Sequence, residues 1–286
     1  MKIYVINLKK RPDRLKYISD QLDKMGLEFE RFEAIDGADL VRPHPLFDEK
    51  RFLLDQKKHI VSGEIGCALS HREIWKKIIE EGLPRALILE DDIEVSGKVK
   101  HLLSDIASIE KFDFLNISSA EPYSTDESLI RKLLNDGVDK RPHLLCPFRC
   151  KWRGIEWRRK WKVFKLHKTA DDVVLCEADP APALGSGYIL SAHGAKHLLK
   201  ATEEMYFPVD LAWRFSRGRL VQGFSAKPLI VQSLSNTDIE GRDQKNVLNL
   251  KQRLLRFFYK GRKFGRRFDV FCMYNLNALK SLVRAK

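Results

Sequence analysis

Residues 85–94, RALILEDDIE, set an apolar run, Ala86 to Leu89, against three consecutive carboxylates, Glu90, Asp91 and Asp92. Apolar residues following a Pro-Arg pair read as a buried strand. Three acids at its end repel one another. Two unit charges about 4 Å apart cost roughly 4 kcal/mol at an effective dielectric near 20. A divalent cation removes that cost, and clustered hard oxygens suit Mn²⁺ or Mg²⁺. At the C-terminal edge of a parallel sheet, such a cation commonly serves a phosphate-bearing substrate. The plain alternative is an acidic turn that water solvates.

Two further groups point the same way. In INLKKRPDR, Asn7 and Leu8 end the first strand, and Arg11 and Arg14 follow on the turn and first helical turn. Helix N-termini favour anions, and guanidinium groups hold phosphate or carboxylate in bidentate fashion. The alternative pairs these arginines with Asp13 and other surface acids. In SGEIGCALSHREIW, Gly66 permits close backbone approach, while Ser70 and His71 can donate to an anion or a ribose. A Ser beside a His on a helix is also a common structural pair. No G-x-S-x-G, Walker A loop or G-x-G-x-x-G occurs, which sets aside hydrolase-triad and dinucleotide chemistry.

The elements that must position these groups follow from periodicity. Lys2 to Leu8 reads as a strand and Arg11 to Met25 as a helix, with Pro12 in its first turn and Gly26 as its stop. Glu28 to Ile35 reads as a second strand, closed by Asp36-Gly37. Residues 38–60 read as loop. A helix then runs from Ser62, read as its N-cap, to about Glu81. Lys98 to Ile109 reads as helix, Phe112 to Ile117 as strand, Ala183 to Leu190 as a glycine-containing strand, His193 to Glu203 as helix and Leu229 to Val231 as strand. The opening strand–helix–strand predicts an α/β sheet. Between them, residues 118–175 read as a long loop or lid.

The 286 residues are 44% apolar, enough for one large or two small domains with a buried core. No apolar run approaches the roughly 18 residues that span a bilayer. The apolar stretch at residues 3–8 is short and lacks a small-residue cleavage site, so it reads as a strand and not a signal peptide. Five cysteines, an odd number, fit free thiols in a reducing cytoplasm. The net charge of +13 is concentrated. Residues 149–168 carry +8 and residues 251–286 carry +10, which leaves the rest at −5.

In order and spacing, INLKKRPDR, GEIGCALSHREIW, ALILEDDIE and GSGYILSAHGA resemble glycosyltransferase family 25, over about residues 1–240. These are lipopolysaccharide-biosynthesis enzymes, often β-galactosyltransferases, related to a domain of collagen galactosyltransferases. The resemblance implies a GT-A type, Rossmann-like mixed sheet flanked by helices. It implies a UDP-sugar donor, Mn²⁺ and inversion at the anomeric carbon. By position it makes Asp92 the first choice as metal ligand, with Glu90 beside it and Asp91 on the donor. It makes Asn7, Leu8, Arg11, Arg14 and the corner at residues 34–37, with Asp36, a cradle for uridine and ribose. Gly66, Ser70 and His71 join the donor site, and Gly187 and Tyr188 line the sugar or acceptor side.

Inversion needs one general base near the acceptor hydroxyl. Asp210, in the apolar setting of FPVDLAW, is the candidate, with Glu177 and Asp179 as competitors. In the basic tract, Trp152, Trp157 and Trp161 read as an acceptor-side lid, or else as core residues among solvated cations. Residues 251–286 read as a basic amphipathic segment for an anionic membrane face, or else as an ordinary C-terminal helix. The expected organisation is a GT-A domain over residues 1–245 followed by a basic segment over 246–286. The expected activity is hexose transfer, galactose first, from a UDP-sugar to a lipid-linked oligosaccharide, at the cytoplasmic face of the membrane. The rivals are a nucleic-acid- or membrane-binding protein with an incidental acidic cluster, a phosphotransferase or nuclease using the same acids, and a family member without activity. No nucleic-acid-binding motif supports the first.

Overall fold

The structure, a computed structural model, describes residues 1–121, 123, 151–152, 155–156, 162–233, 246–259, 265–266 and 268–274. The chain opens with β1 (Lys2–Asn7), α1 (Pro12–Lys24) and β2 (Glu30–Glu33). β1 and β2 pair in parallel, as the strand–helix–strand pattern predicts. α2 (Glu49–Gln56) follows, within the stretch expected to be loop. Asp48 caps it by accepting from the Arg51 amide at 2.9 Å. Short helices of this kind carry little periodic signal, and the cap supplies what the pattern lacks.

α3 (Ser62–Glu80) leads into β3 (Arg85–Glu90), the carboxylate strand. Ser62 lies inside α3 and does not cap it; the Glu64 carboxylate accepts from the Val61 amide at 3.2 Å instead. β4 (Ile93–Val95), α4 (Lys98–Ser104), α5 (Ile106–Ile109) and β5 (Phe114–Asn116) come next. The single helix expected at 98–109 is broken at Asp105, whose side chain turns to accept from the Ser108 amide at 3.1 Å.

The expected loop at 118–175 contains β6 (Lys151–Trp152), β7 (Ile155–Glu156), β8 (Lys162–Lys168) and the start of β9 (Val174–Asp179). β8 is the edge strand of the main sheet, so this part of the expectation is corrected. An edge strand with solvated lysines hides its period-2 pattern. No side chain of Trp152, Trp157 or Trp161 is among the described residues. β10 (Gly187–Ser191), α6 (Ala192–Ala201), β11 (Gln222–Ser225), β12 (Ile230–Gln232) and α7 (Leu250–Tyr259) complete the described elements.

Eight strands form one mixed sheet in the order β2-β1-β3-β10-β5-β11-β9-β8. β10 runs antiparallel to both of its neighbours. β1 sits between β2 and β3 and pairs with both in parallel, so successive connections leave it in opposite directions. Such a switch point opens a crevice at the C-terminal ends of the strands. Burial alternates across the sheet. Tyr4, Ile6, Ile88, Tyr188 and Leu190 pack with α3 and α6 on one face. Ile3, Val5, Leu87, Leu89 and Ile189 pack with Ile18 and Leu22 of α1 and Leu102 of α4 on the other. β3 is therefore apolar without alternation because both of its faces are covered.

Candidate functional site: a cleft at the β1–β3 switch point

The carboxylate strand delivers its acids to the crevice by register. Ile6 of β1 lies opposite Glu90 of β3, so Asn7 meets Asp91 just beyond the pairing. The Asn7 amide nitrogen donates to Asp91 Oδ2 at 2.7 Å and to the Arg11 carbonyl at 2.8 Å. Arg14 reaches the same carboxylate, Nη1 to Asp91 Oδ1, at 3.4 Å, and lies 3.7 Å from Asp92 Oδ2. Both oxygens of Asp91 are thus engaged by protein. Asp92 Oδ2 accepts from the Gln232 amide at 3.2 Å, while Asp92 Oδ1 is buried and has no hydrogen-bond partner among the described residues. Glu90 turns toward His71, whose Nε2 is 3.5 Å from Glu90 Oε1.

The three acids do not converge on one point, then. Asp91 lines the cleft but buttresses β1 and α1 with both oxygens, while Glu90 and Asp92 are not so engaged by Asn7. Burial, and next the charge of Glu90, push the Asp92 carboxyl up to about 6. Burial also raises the Asp91 carboxyl, against the pull of Asn7 and Arg14. A buried carboxylate oxygen with no donor, beside a second carboxylate, is an arrangement that a hard cation satisfies. Glu90 and Asp92 therefore fit Mn²⁺ or Mg²⁺.

The cleft is lined by Leu8, Arg14, Asp36, Ser70, His71 and the three acids, and also by Asp210. Its second wall is built by glycine. A side chain at Gly37 would put Cβ 1.9 Å from the Ser62 carbonyl oxygen, and one at Gly66 would put it 2.4 Å from that of Ile35. Backbone packs on backbone there, so the corner at 34–37 sits directly on α3. Gly66 thus serves helix-to-corner packing and does not line the cleft. The Ser70 hydroxyl ties the two together: it donates to the Gly66 carbonyl at 2.8 Å and accepts from the Ile35 amide at 2.9 Å. Asp36 accepts from the Ala38 amide at 3.0 Å and pairs with Lys10 at 2.5 Å.

Several expected site residues lie behind the cleft. Asn7 supports Asp91 from the side, and Arg11 pairs with Asp13 at 2.8 Å. A Cβ at Gly187 would meet Ile230 Cδ1 at 2.4 Å, so that glycine admits a neighbouring side chain and not a sugar. Tyr188 is buried; Trp75 Nε1 donates to its hydroxyl at 2.8 Å, and that hydroxyl lies 2.8 Å from His71 Nδ1. Glu177 and Asp179 are also away from the cleft. Tyr274 donates to Glu177 at 2.7 Å, and Arg266 pairs with Asp179. Of the three candidate bases only Asp210 lines the cleft, on the 3-10 turn Val209–Arg214. The sequence reading missed Cys67, Gln232 and the segment at Leu184 and Gly185. Cys67 was the most legible of these, four residues before His71 on one helix face.

Residues 1–213 match Glycosyltransferase family 25 (LPS biosynthesis protein). A "Glycosyltransferase 25 family member" of Drosophila melanogaster is 42% identical over 97 residues, 32% of this chain and 16% of that protein. "Procollagen galactosyltransferase 2" of Mus musculus is 27% identical over 250 residues, 80% of this chain and 34% of that protein. A "Putative glycosyltransferase" of Haemophilus influenzae is 38% identical over 104 residues, 35% of each chain. The chain thus spans about a third or less of the length of these relatives.

Proposed function

The chain belongs to glycosyltransferase family 25, and we propose that it transfers a hexose, galactose in our reading, from a UDP-sugar to a glycan acceptor with inversion. The observation that carries this reading is the buried Asp92 Oδ1, without a partner among the described residues, beside Glu90 on the switch-point crevice. The galactose assignment leans on what the mouse relative is called.

In this reading Glu90 and Asp92 hold Mn²⁺ or Mg²⁺. A bound cation there neutralises the diphosphate and eases departure of UDP. Arg14, anchored on Asp91, faces the same phosphates. Leu8 and the corner at 34–37 flank the nucleoside, with Asp36 toward the ribose. Asp210, which lines the same cleft, takes the proton of the acceptor hydroxyl as its oxygen bonds to the anomeric carbon and the bond to phosphate breaks. The test compares Asp92→Ala and Asp210→Asn with the parent protein. Asp92→Ala should abolish transfer and Mn²⁺-dependent stabilisation by UDP, with the circular dichroism unchanged. Asp210→Asn should lower kcat at least about a hundredfold with little loss of UDP affinity. Near-normal transfer by Asp92→Ala sinks the metal assignment, and lost UDP binding by Asp210→Asn moves that residue to the donor side.

The acceptor, in the same reading, is a lipid-linked oligosaccharide, and the enzyme works at an anionic membrane face on the cytoplasmic side. Support comes from α7, which packs on α2 with Arg256 donating to the Asp55 carbonyl at 3.4 Å. Gln252 and Arg256 are its half-buried positions, while Leu250 and Leu254 are 75% and 59% exposed. Lys251 and Arg253 flank those leucines in exposed positions. An outward apolar row between cations suits an anionic lipid surface.

A further inference from the structure

We propose that Cys67, His71 and Glu90 form a binding site for a thiophilic divalent cation of the Zn²⁺ class, on the wall of the cleft. One ligand atom from each residue lies within 4.8 Å of the others. The chain positions them rigidly. Cys67 and His71 are one helical turn apart on α3, so their side chains share a face. Glu90 ends β3, and its amide is fixed to the Ser186 carbonyl at 2.9 Å.

The chemistry of the set is specific. A thiolate, an imidazole and a carboxylate together suit Zn²⁺, whereas Mn²⁺ and Mg²⁺ favour oxygen alone. The two anionic ligands balance the charge of the ion. His71 is 2% exposed and carries the hydrogen bond that metal-binding imidazoles characteristically make from the second ring nitrogen. Its Nδ1 lies 2.8 Å from the Tyr188 hydroxyl, and its Nε2 faces Glu90. A tyrosine hydroxyl can donate or accept, so it serves Nδ1 in either tautomer. Trp75 Nε1 holds that hydroxyl in turn. Cys67 and Glu90 both line the cleft, so the ion can enter from it and keep a coordination position open.

One carboxylate cannot serve two ions fully. Glu90 also stands beside Asp92, so a thiophilic ion on Cys67 and His71 draws Glu90 away from the hard-cation position. Zn²⁺ is therefore an antagonist of Mn²⁺-dependent nucleotide binding. That consequence rests on the donor reading; the site itself does not.

The test uses the whole chain and the metal alone. Zinc-edge X-ray absorption of the protein with one equivalent of Zn²⁺ should show a shell of one sulfur plus nitrogen and oxygen. A shell without sulfur, or with two, overturns the site. With Co²⁺ as the probe, the near-ultraviolet sulfur-to-metal band should vanish in Cys67→Ser. Zn²⁺ affinity should fall at least about tenfold in both Cys67→Ser and Glu90→Gln. A band that survives in Cys67→Ser, or unchanged affinity in either variant, overturns the assignment. The absorption measurement on the unaltered chain decides the matter if a variant unfolds. Mn²⁺–UDP binding by Cys67→Ser, read separately, reports on the donor reading.

Discussion

Asp92 is a carboxylate held against its own charge. Its side chain is 15% exposed, one oxygen lacks a donor among the described residues, and Glu90 adds repulsion. Its carboxyl titrates near 6 in the native chain against 3.8 in an ordinary setting. Between those values the native state holds the extra proton, so stability from this group is lost as pH rises through the window. The cost is on the order of 3 kcal/mol above the window and absent below it. Metal-free Asp92→Asn should therefore be more stable than the parent near neutral pH, with the two converging as pH falls toward about 4. Urea midpoints across that range would measure it. A gap between the two proteins that does not change with pH would show that Asp92 is not strained. At the same scale, Asp91 shows why three adjacent acids need not be three ligands: Asn7 and Arg14 occupy both of its oxygens.

At the scale of elements, the cleft depends on how tightly α3 seats against the corner at 34–37. That contact is backbone on backbone, and the Ser70 hydroxyl stitches it. Gly66→Ala adds one methyl where a carbonyl oxygen lies 2.4 Å away. The corner must move, at a cost of about 1–3 kcal/mol. Because Ala34, Asp36 and Gly37 line the cleft, UDP affinity should drop together with the melting temperature, as calorimetry and thermal unfolding would show. Unchanged affinity in a destabilised protein would remove the corner from the nucleotide site. The motif GEIGCALSH is thus largely an account of helix seating: Gly66 and Ser70 set the wall, and His71 meets Glu90 on it.

Across the whole molecule, Arg266 and Tyr274 are fastened to the β8–β9 edge of the sheet. Arg266 is buried; it pairs with Asp179 and donates to the carbonyls of Gly218 at 2.7 Å and Leu220 at 2.8 Å. Tyr274 stacks on Phe164 with ring centroids 3.6 Å apart and donates to Glu177. Burial raises the Asp179 carboxyl, and Arg266 opposes that rise. Arg266→Ala leaves a buried carboxylate unpaired, and should cost about 3–5 kcal/mol in chemical denaturation. A loss under about 1 kcal/mol would mean that water replaces the arginine. The outward face of α7 makes a separate prediction. The protein should sediment with phosphatidylglycerol vesicles more than with neutral ones, and Leu254→Glu should weaken this about tenfold or more. Equal retention on both vesicle types would sink the membrane reading.

From the residues alone came the elements whose patterns are local: β1, α1, α3 and the two-face-buried β3 with acids at its end. So did Leu8, Arg14, Ser70, His71 and the acids at the crevice, because strand ends and helix starts in an α/β chain meet there; Asp36 came only with the family resemblance. Tertiary contacts decided which of those groups face the cleft. Asn7, Gly66, Gly187 and Tyr188 have the residue types of a binding site, yet each is spent on a neighbour that lies 24 to 117 positions away in the chain or across a backbone contact. Competition among partners of that kind is settled only when the chain closes. The same closure singled out Asp210 from Glu177 and Asp179, and brought Cys67 and His71 to Glu90.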